Sequence, residues 1–271
     1  MRAFDDANGY EISDWVEWYA QRHSLLPPEQ VVFDKLNDRL PTMKMLDIGI
    51  GGGRTTCHFA EPVQEYVGID FDKRMLHACK QRFPNLSEKS SFYHVDARSM
   101  DLFKDQYFDF VLFSFNGIDY LSHEDRMKAL KEIKRVCKLG GYFLFSTHNL
   151  NSLDRLFKIG VSKDPFVLSR ELYRHFVLRI RNDRVSKLKA QTHTIIYDGV
   201  YSKKLTWLFL SIWKHLGYYY YSKPEEQIRQ LEEVGFKIAN IYARRGEEIT
   251  DRAELGAITD YWIHYLCENL E

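Results

Sequence analysis

The sequence has few cysteines, and their spacing is not that of a metal site. Its four cysteines, Cys57, Cys79, Cys137 and Cys267, form no C-x-x-C pair, and no cluster of histidines and cysteines has metal-ligand spacing. We therefore expect no bound metal. Unpaired cysteines in apolar surroundings are typical of reduced thiols in a cytosolic protein.

Net charge and long apolar runs are also absent. The 38 Lys and Arg residues balance the 38 Asp and Glu residues, so no overall charge favours a nucleic acid. The longest apolar stretch, residues 205–216, is interrupted by Lys214 and His215 and is too short to span a bilayer. The first residues, MRAFDDANGY, do not resemble a signal peptide. We expect a cytoplasmic monomer or homodimer, with no nucleic-acid or membrane partner.

What the sequence does contain is an alternation of apolar strands and helices over residues 43–150. The five strand-like runs are apolar nearly throughout, as burial on both faces of a parallel sheet requires; they lie in MKMLDIGI, EYVGID, SFYHVDA, FDFVLFSF and YFLFSTHN. A helical period over residues 124–138 separates the last two, with Gly140-Gly141 expected to end that helix. The pattern predicts a doubly wound α/β core.

The residues before this core predict a helical cap over positions 1–42. Trp15, Trp18 and Tyr19 share a face of a first helix, and Pro27-Pro28 separates it from a second helix that stops before Pro41. The core resumes over residues 223–271 with a helix, a strand, a polar loop at 246–259 and a final strand.

Residues 151–222 interrupt the alternation as a basic, aromatic insertion. Positions 151–220 carry thirteen Lys and Arg residues against five Asp and Glu, which indicates either an anionic small substrate or a solvated surface. Asp198-Gly199 predicts the turn of a hairpin, and residues 218–221 predict a strand alternating between pocket and surface. Other aromatic residues line a pocket or form a small core: Tyr173, Tyr197, Tyr201, Trp207 and Trp213.

The most informative motif is the loop DIGIGGGR, which begins at Asp47. A chain turning from a strand into a helix needs glycine where φ is positive and where a ligand approaches the backbone closely. Dinucleotide enzymes carry G-x-G-x-x-G at the same place. Here the spacing is D-x-G-x-G-x-G, and a carboxylate two residues before Gly49 suits an α-amino group and would repel a pyrophosphate.

Two further acids follow the next two strands. Asp70 ends the second strand, 17 residues beyond Gly53, where ribose hydroxyls can donate to it. Asp96 follows the third strand and can accept from an adenine amino group, beside the Ala97 backbone N–H. Each acid taken alone is also a candidate helix N-cap. Acids at the ends of three consecutive strands indicate a nucleoside-containing cofactor.

These motifs resemble those of class I S-adenosylmethionine (SAM)-dependent methyltransferases. The matching segments are LDIGIGGGR, VGIDFDKRML, HVDARSM, FDFVLFSFNGIDYL and RVCKLGGYFLFST, the last with Leu139 where proline is usual. The resemblance covers residues 43–148 and, more loosely, 223–268. It implies a seven-stranded, mostly parallel sheet whose last strand, YWIHYLCEN, is antiparallel, with N-terminal helices and a lid insertion after the fifth strand.

The resemblance also implies which residues hold SAM. They are Asp47, Gly49, Gly51 and Gly53 for the methionine part, Asp70 with its neighbour Phe71 for the ribose, Asp96 and Ala97 for the adenine, and Phe115 and Asn116 near the sulfonium. The fourth motif lacks an N-P-P-Y or D-P-P-Y run, which argues against an exocyclic amine of a nucleic-acid base as acceptor.

Three residues are candidates for a general base. A hydroxyl acceptor gains about 10²–10⁴-fold from such a base, whereas a neutral amine needs less help. His148 follows the fifth strand and is the first choice, with His123 and Asp119 after the fourth strand as alternatives. Asp119 or Ser122 can instead cap the helix that starts near Glu124.

The expected reaction is methylation of a hydroxyl or amine on a small, anionic metabolite. A sugar nucleotide or another precursor of a bacterial surface polysaccharide fits best, because the tailoring methyltransferases of such pathways resemble this chain in size and in the position of the lid. The alternatives are an RNA or protein methyltransferase and a non-catalytic SAM-binding protein.

Overall fold

The computed structural model describes residues 21–200 and 215–270. Several of the aromatic residues named above lie outside the described residues, namely Trp15, Trp18 and Tyr19 of the first predicted helix and Tyr201, Trp207 and Trp213 of the insertion.

Nine strands form the described part of the sheet. They are β1 (Lys44–Ile48), β2 (Glu65–Asp70), β3 (Ser90–His94), β4 (Phe108–Phe113), β5 (Cys137–Asn149), β6 (His193–Val200), β7 (His215–Ser222), β8 (Phe236–Tyr242) and β9 (Trp262–Asn269).

Eight α-helices connect or flank these strands in the described ranges. They are α1 (Pro27–Leu36), α2 (Thr56–Phe59), α3 (Lys73–Arg82), α4 (His123–Val136), α5 (Leu153–Leu156), α6 (Pro165–Arg181), α7 (Val185–Lys189) and α8 (Pro224–Val234). Short 3-10 helices cover Leu40–Thr42, Gly117–Tyr120, Leu150–Ser152 and Arg252–Ala257. No helix among residues 21–200 and 215–270 is long and apolar enough to cross a bilayer.

Seven of the strands form the core sheet in the order β3-β2-β1-β4-β5-β9-β8. The first five are parallel to their neighbours, and β9 runs antiparallel to both β5 and β8. Buried apolar clusters cover both faces of this sheet, as the continuous apolar strands require. The predicted fold, including the antiparallel last strand, is confirmed.

Helix α4 shows how the local sequence sets an element's ends. The Ser122 side chain accepts a hydrogen bond from the Asp125 backbone N–H at the helix start, and basic residues occupy the last turn. The helix ends at Val136, four residues before the predicted stop at Gly140, because Cys137 already pairs with Phe108 of β4.

The insertion contributes the hairpin β6–β7, but not with the predicted turn. Asp198 and Gly199 lie inside β6, paired with Gly217 and Leu216, and pairing continues to Val200 and His215. The turn prediction at Asp198-Gly199 is therefore wrong, because the ladder extends beyond this pair. Strand β7 also joins the end of β5 in parallel, through His148 with Tyr221 and Asn149 with Ser222.

Three of the four tyrosines at positions 218–221 are buried, and they lie on both faces of β7. Tyr218 is half exposed, whereas Tyr219, Tyr220 and Tyr221 are all buried. The predicted alternation between pocket and surface is wrong for this reason. Tyr219 and Tyr221 belong to a small apolar core of the insertion, with side chains from α5, α6 and α7.

Candidate active site

The glycine loop joins β1 to α2 in a left-handed backbone conformation. Gly49, Gly51 and Gly53 have φ values of 67°, 53° and 81°, a region that costs other L-residues roughly 1–2 kcal/mol each. The Gly49 and Ile50 N–H groups both donate to the Ile69 carbonyl of β2. The loop is thus fixed against the end of the neighbouring strand.

Asp47 lies buried at the end of β1, directly before this loop. Its Oδ2 atom accepts from Thr55 Oγ1 at 2.5 Å and from Tyr66 Oη at 2.7 Å. Its Oδ1 atom is buried and has no hydrogen-bond partner among the described residues. Burial raises the pKa of Asp47 to about 6. An unsatisfied carboxylate oxygen beside a glycine loop fits an ammonium group that is supplied by a ligand.

Asp70 ends β2 and ties the second motif to the first. Its Oδ2 atom accepts from the Gly51 N–H at 2.9 Å, and its Oδ1 atom accepts from the Asp72 N–H at 2.8 Å. Burial raises the pKa of Asp70 to about 6. The cap of α3 is Asp72, not Asp70. Each Asp70 oxygen keeps a lone pair that can accept from a ribose hydroxyl.

The residues predicted for the nucleoside lie along the same edge of the sheet. Phe71 is 57% exposed, and its carbonyl contacts His94 Nε2 at 2.8 Å. Asp96 is partly exposed and is paired with Arg98, whose hydrogen bonds lower the pKa of Asp96. Ala97 is buried in the core below. An exposed aromatic ring next to a carboxylate fits the adenosine part of SAM.

A strained turn follows β4. Phe115 and Asn116 have φ values of 54° and 56°, and residues held in this region cost of order 1–3 kcal/mol each. The Asn116 N–H donates to Ser146 Oγ of β5 at 2.9 Å, which holds the turn against the sheet. The Asn116 Oδ1 atom is buried without a partner among the described residues. Strain and an unsatisfied polar atom together mark this turn as a candidate ligand contact.

His148 and Asp119 form a buried hydrogen-bonded pair beside this turn. The His148 Nδ1–H and the His148 backbone N–H both donate to Asp119 Oδ2, each at 2.7 Å. A carboxylate on Nδ1 fixes the tautomer in which Nε2 carries the lone pair. That Nε2 atom accepts from Asn116 Nδ2 at 3.4 Å. His148 lies inside β5, which extends one residue beyond it, and is 9% exposed.

Asp119 is held in place by a buried network of its own. Arg126 Nη1 donates to Asp119 Oδ1 at 2.5 Å, and Thr147 Oγ1 donates to the same atom at 2.7 Å. Arg126 also donates to Gln227 Oε1 of α8 at 2.5 Å. The side chains of Asp119 and Arg126 are both fully buried. Ser122, and not Asp119, caps α4.

Aromatic rings surround the His148 imidazole. The ring centroid of Tyr221 lies 4.7 Å from that of His148, Tyr219 at 5.4 Å and Trp262 at 6.1 Å. Trp262 in turn contacts Phe115 at 5.0 Å. The insertion therefore supplies two of the rings, and β9 supplies the third.

His123 lies on the other side of β7. Its Nδ1 atom is 3.0 Å from the Tyr220 hydroxyl, and its ring stacks on His193 with centroids 4.4 Å apart. Successive residues of a strand point to opposite faces, so Tyr220 directs this pair away from the face where Tyr221 contacts His148. The structure brings His148, Asp119 and Asn116 together and leaves His123 apart.

The structure has a buried ion pair beside the glycine loop that the sequence analysis did not predict. Arg54 donates to Glu29 of α1 through two nitrogens, at 2.7 and 2.8 Å, and Ser114 contacts both side chains. Burial favours the neutral acid, but the Arg54 guanidinium outweighs it and lowers the pKa of Glu29. Arg54 directly follows the last glycine of the motif, and this position is the one feature of the sequence that could have indicated its place beside the loop.

No cluster of three or more His, Cys, Asp or Glu side chains in the described ranges could hold a metal ion. The site consists instead of backbone and side-chain polar groups along the carboxyl ends of β1, β2, β4 and β5. In open α/β sheets, ligands bind at this edge.

Comparison with known proteins identifies the class of this site. Residues 46–145 match a protein family described as a methyltransferase domain. This chain is 33% identical over 120 residues to the ubiquinone/menaquinone biosynthesis C-methyltransferase of Pasteurella multocida, covering 43% of this chain and 44% of that protein. It is also 27% identical over 155 residues to an uncharacterized protein of Methanocaldococcus jannaschii, covering 56% and 67%.

The fold has solved relatives as well. The CcbJ methyltransferase of Streptomyces caelestis superimposes with a TM-score of 0.61 at 14% identity, covering 93% of this chain and 95% of that one. Residues 46–145 thus form a methyltransferase domain, and the solved relatives share its fold. At the level of this domain, the prediction of a methyltransferase is confirmed, and the family implies SAM as the cofactor. The match spans less than half of the quinone-pathway relative.

Proposed function

We propose that this protein transfers a methyl group from SAM to a hydroxyl group of a small acceptor, with His148 as the general base. The observation that carries the proposal is the His148–Asp119 pair, in which the lone pair of His148 Nε2 faces Asn116 at the strained turn. When bound, SAM supplies an electrophilic methyl group on its sulfonium. Residues Asp47, Gly49, Gly51, Gly53, Asp70, Phe71, Asp96, Ala97, Phe115 and Asn116 hold it.

In this proposal the imidazole takes the proton of the acceptor hydroxyl on Nε2. Asp119 cannot contact an acceptor, because its side chain is fully buried and its oxygens already accept four hydrogen bonds. It acts as a positioning residue that holds the imidazole tautomer and stabilises the imidazolium after proton transfer. Arg126 holds Asp119 in place through their buried ion pair.

The acceptor is a small, anionic molecule in this proposal, such as a sugar nucleotide or another surface-polysaccharide precursor. The support is the excess of basic residues in the insertion and the Arg244 guanidinium, which lies 5.9 Å from the Trp262 ring. Arg244 has no carboxylate partner in the described part of the chain. A cytoplasmic monomer or homodimer is proposed on sequence grounds alone.

A phenolic acceptor is the second candidate. The rings of Tyr219, Tyr221 and Trp262 around His148 offer aromatic faces at centroid distances of 4.7–6.1 Å, which suits stacking with an aromatic substrate. Another relative, from Nitrosomonas europaea and 23% identical over 138 residues, is named a ubiquinone biosynthesis O-methyltransferase.

The test measures release of S-adenosylhomocysteine from SAM in the presence of sugar nucleotides and catechols as candidate acceptors. With an acceptor in hand, His148→Asn should lower kcat by about 100-fold or more and remove the acidic limb of the pH–rate profile. SAM affinity should change little, because His148 is not itself one of the proposed cofactor contacts.

His123→Asn is the matched control, since it removes the other candidate histidine at a site without contact to Asn116. A large loss of kcat in this variant with normal turnover in His148→Asn would transfer the role to His123. Normal turnover in both variants would indicate an amine acceptor that needs no base. Absence of release with every acceptor would favour a macromolecular substrate or a non-catalytic SAM-binding protein.

A further inference from the structure

Helix α6 of the insertion turns an apolar face to the solvent. Five of its large apolar side chains are between 47% and 64% exposed, namely Phe166, Leu172, Tyr173, Phe176 and Ile180. A helix on the surface of a globular protein ordinarily turns polar side chains outward. The arrangement on α6 is the reverse of that pattern.

These side chains lie in one stripe along the helix, with the exposed Ser169 among them. At about 100° per residue, the five positions fall within an arc of roughly 120°. Leu178, which is 1% exposed, lies on the opposite side and packs into the core of the insertion. The helix is therefore anchored by one face and presents the other, and we call the five-residue stripe the outer face of α6.

Cationic side chains border the outer face. Arg179 and Arg181 lie on its two sides near the helix end, and Arg184 follows the helix. No carboxylate lies within 4.0 Å of these three arginines in the described part of the chain, whereas Arg174 is paired with Glu171. Residues 165–189 contain seven Lys and Arg residues against two Asp and Glu.

We propose that the outer face of α6 binds the surface of an anionic lipid bilayer. A helix that lies in the plane of the interface buries an apolar face among the acyl chains and places flanking arginines at the headgroups, which is the arrangement on α6. The expectation of no membrane partner depended on the absence of a spanning segment, which does not address a helix lying on the surface.

Charge favours this occupant over a second copy of the chain. Two copies packed through this face would bring the arginines that border it together, without carboxylates to neutralise them. Nucleic-acid phosphates would match the arginines but would leave five large apolar side chains in water. An anionic bilayer satisfies both the apolar stripe and its cationic borders.

Co-sedimentation with vesicles tests the proposal on the full chain. Wild-type protein should bind vesicles of phosphatidylcholine with phosphatidylglycerol, and more weakly those of phosphatidylcholine alone. The triple variant Phe166→Ser/Phe176→Ser/Ile180→Ser should lose at least tenfold in partition coefficient on both. The triple variant Arg179→Gln/Arg181→Gln/Arg184→Gln should lose at least tenfold in partition coefficient on the anionic vesicles only, because the attraction of basic residues to the bilayer comes from the lipid charge.

The matched control is Leu102→Ser/Leu139→Ser, which removes two apolar side chains that are 58% and 54% exposed elsewhere. It should bind like wild type, and SAM calorimetry should verify that every variant is folded. Failure of wild type to bind anionic vesicles, or equal binding by all variants, would overturn the proposal.

Two further measurements identify a different occupant. Hydroxyl-radical footprinting without lipid should oxidise Phe166 and Phe176 readily, and protection there would mean that the chain itself covers the face. A dimer by light scattering that the apolar triple variant dissociates would assign the face to a second copy. Either result would refute the lipid assignment, whatever the outcome for methyl transfer.

Discussion

The affinity for SAM should fall steeply below pH 6, because two of the proposed ligand contacts are carboxyls with raised pKa values. Burial raises the pKa of both Asp47 and Asp70 to about 6. Both acids must be ionised to accept from the ammonium and the ribose hydroxyls, so protons compete with the ligand. The direction is fixed: lowering the pH protonates the free protein and weakens binding.

The magnitude follows from the two pKa values. For a carboxyl with a pKa of about 6, the ionised fraction falls about tenfold between pH 7 and pH 5, which weakens binding by about 1.4 kcal/mol. If both Asp47 and Asp70 must be ionised, the dissociation constant rises about a hundredfold over the same interval. Neither the sulfonium nor the ammonium of the ligand titrates in this range.

Isothermal titration calorimetry between pH 7.5 and pH 5 measures this directly. Asp70→Asn should bind SAM more weakly at pH 7, through the loss of charge-assisted hydrogen bonds of about 1.5–3 kcal/mol, and should show only about a tenfold pH effect. Asp101→Asn, at an exposed acid away from the site, is the control. A dissociation constant that stays flat from pH 7 to pH 5 in folded wild-type protein would refute the placement of both acids.

Three other outcomes are expected. Gly51→Val should abolish SAM binding, because a branched residue is strained at a φ of 53°; tight binding by calorimetry would contradict the loop assignment. Glu29→Gln should lower the free energy of unfolding in urea by about 3–5 kcal/mol, since Arg54 then stays buried without its counter-charge, and Glu29→Leu with Arg54→Met should recover much of it. Burial lowers the pKa of His264 to about 4, below its unfolded value near 6.5, so only the unfolded chain takes up that proton between these values. Stability should therefore fall by about 3 kcal/mol from pH 7 to pH 4 relative to His264→Phe, and equal slopes would refute this.

The strands of the core could be predicted because each carries its own signal. The sequences of β1, β2 and β4 are apolar enough to be buried on both faces. The glycines of the loop indicate positive φ values, because glycine adopts them most readily. The antiparallel direction of β9 came from the resemblance to the family and not from its residues. The hairpin turn at Asp198-Gly199 was wrong, because a turn signal cannot compete with cross-strand pairing that continues to Val200 and His215.

The candidate site could be predicted only in part, for a similar reason. His148 and Asp119 were both named, yet their hydrogen bond depends on how the turn after β4 packs against β5. Arg126 resembles a surface residue of an amphipathic helix, but it is buried against Asp119 and against Gln227 of α8, which are distant from it in sequence or follow a separate turn. The contact of Tyr221 with His148 likewise depends on pairing between strands that are distant in sequence.

The pairing of Asn149 with Ser222 has a consequence for how such enzymes diverge. The chain leaves the core after β5 and returns one strand spacing away, about 4.8 Å. Residues 150–221 therefore form an insertion whose two ends lie on neighbouring strands. The length and composition of this insertion can change without moving β5 or α8. Tyr219 and Tyr221 belong to the insertion, whereas Asp47, Asp70 and Asp119 belong to the core. Under the proposed function, replacement of this one segment during evolution can change the acceptor pocket, while the acids proposed to bind SAM, Asp47 and Asp70, are inherited unchanged.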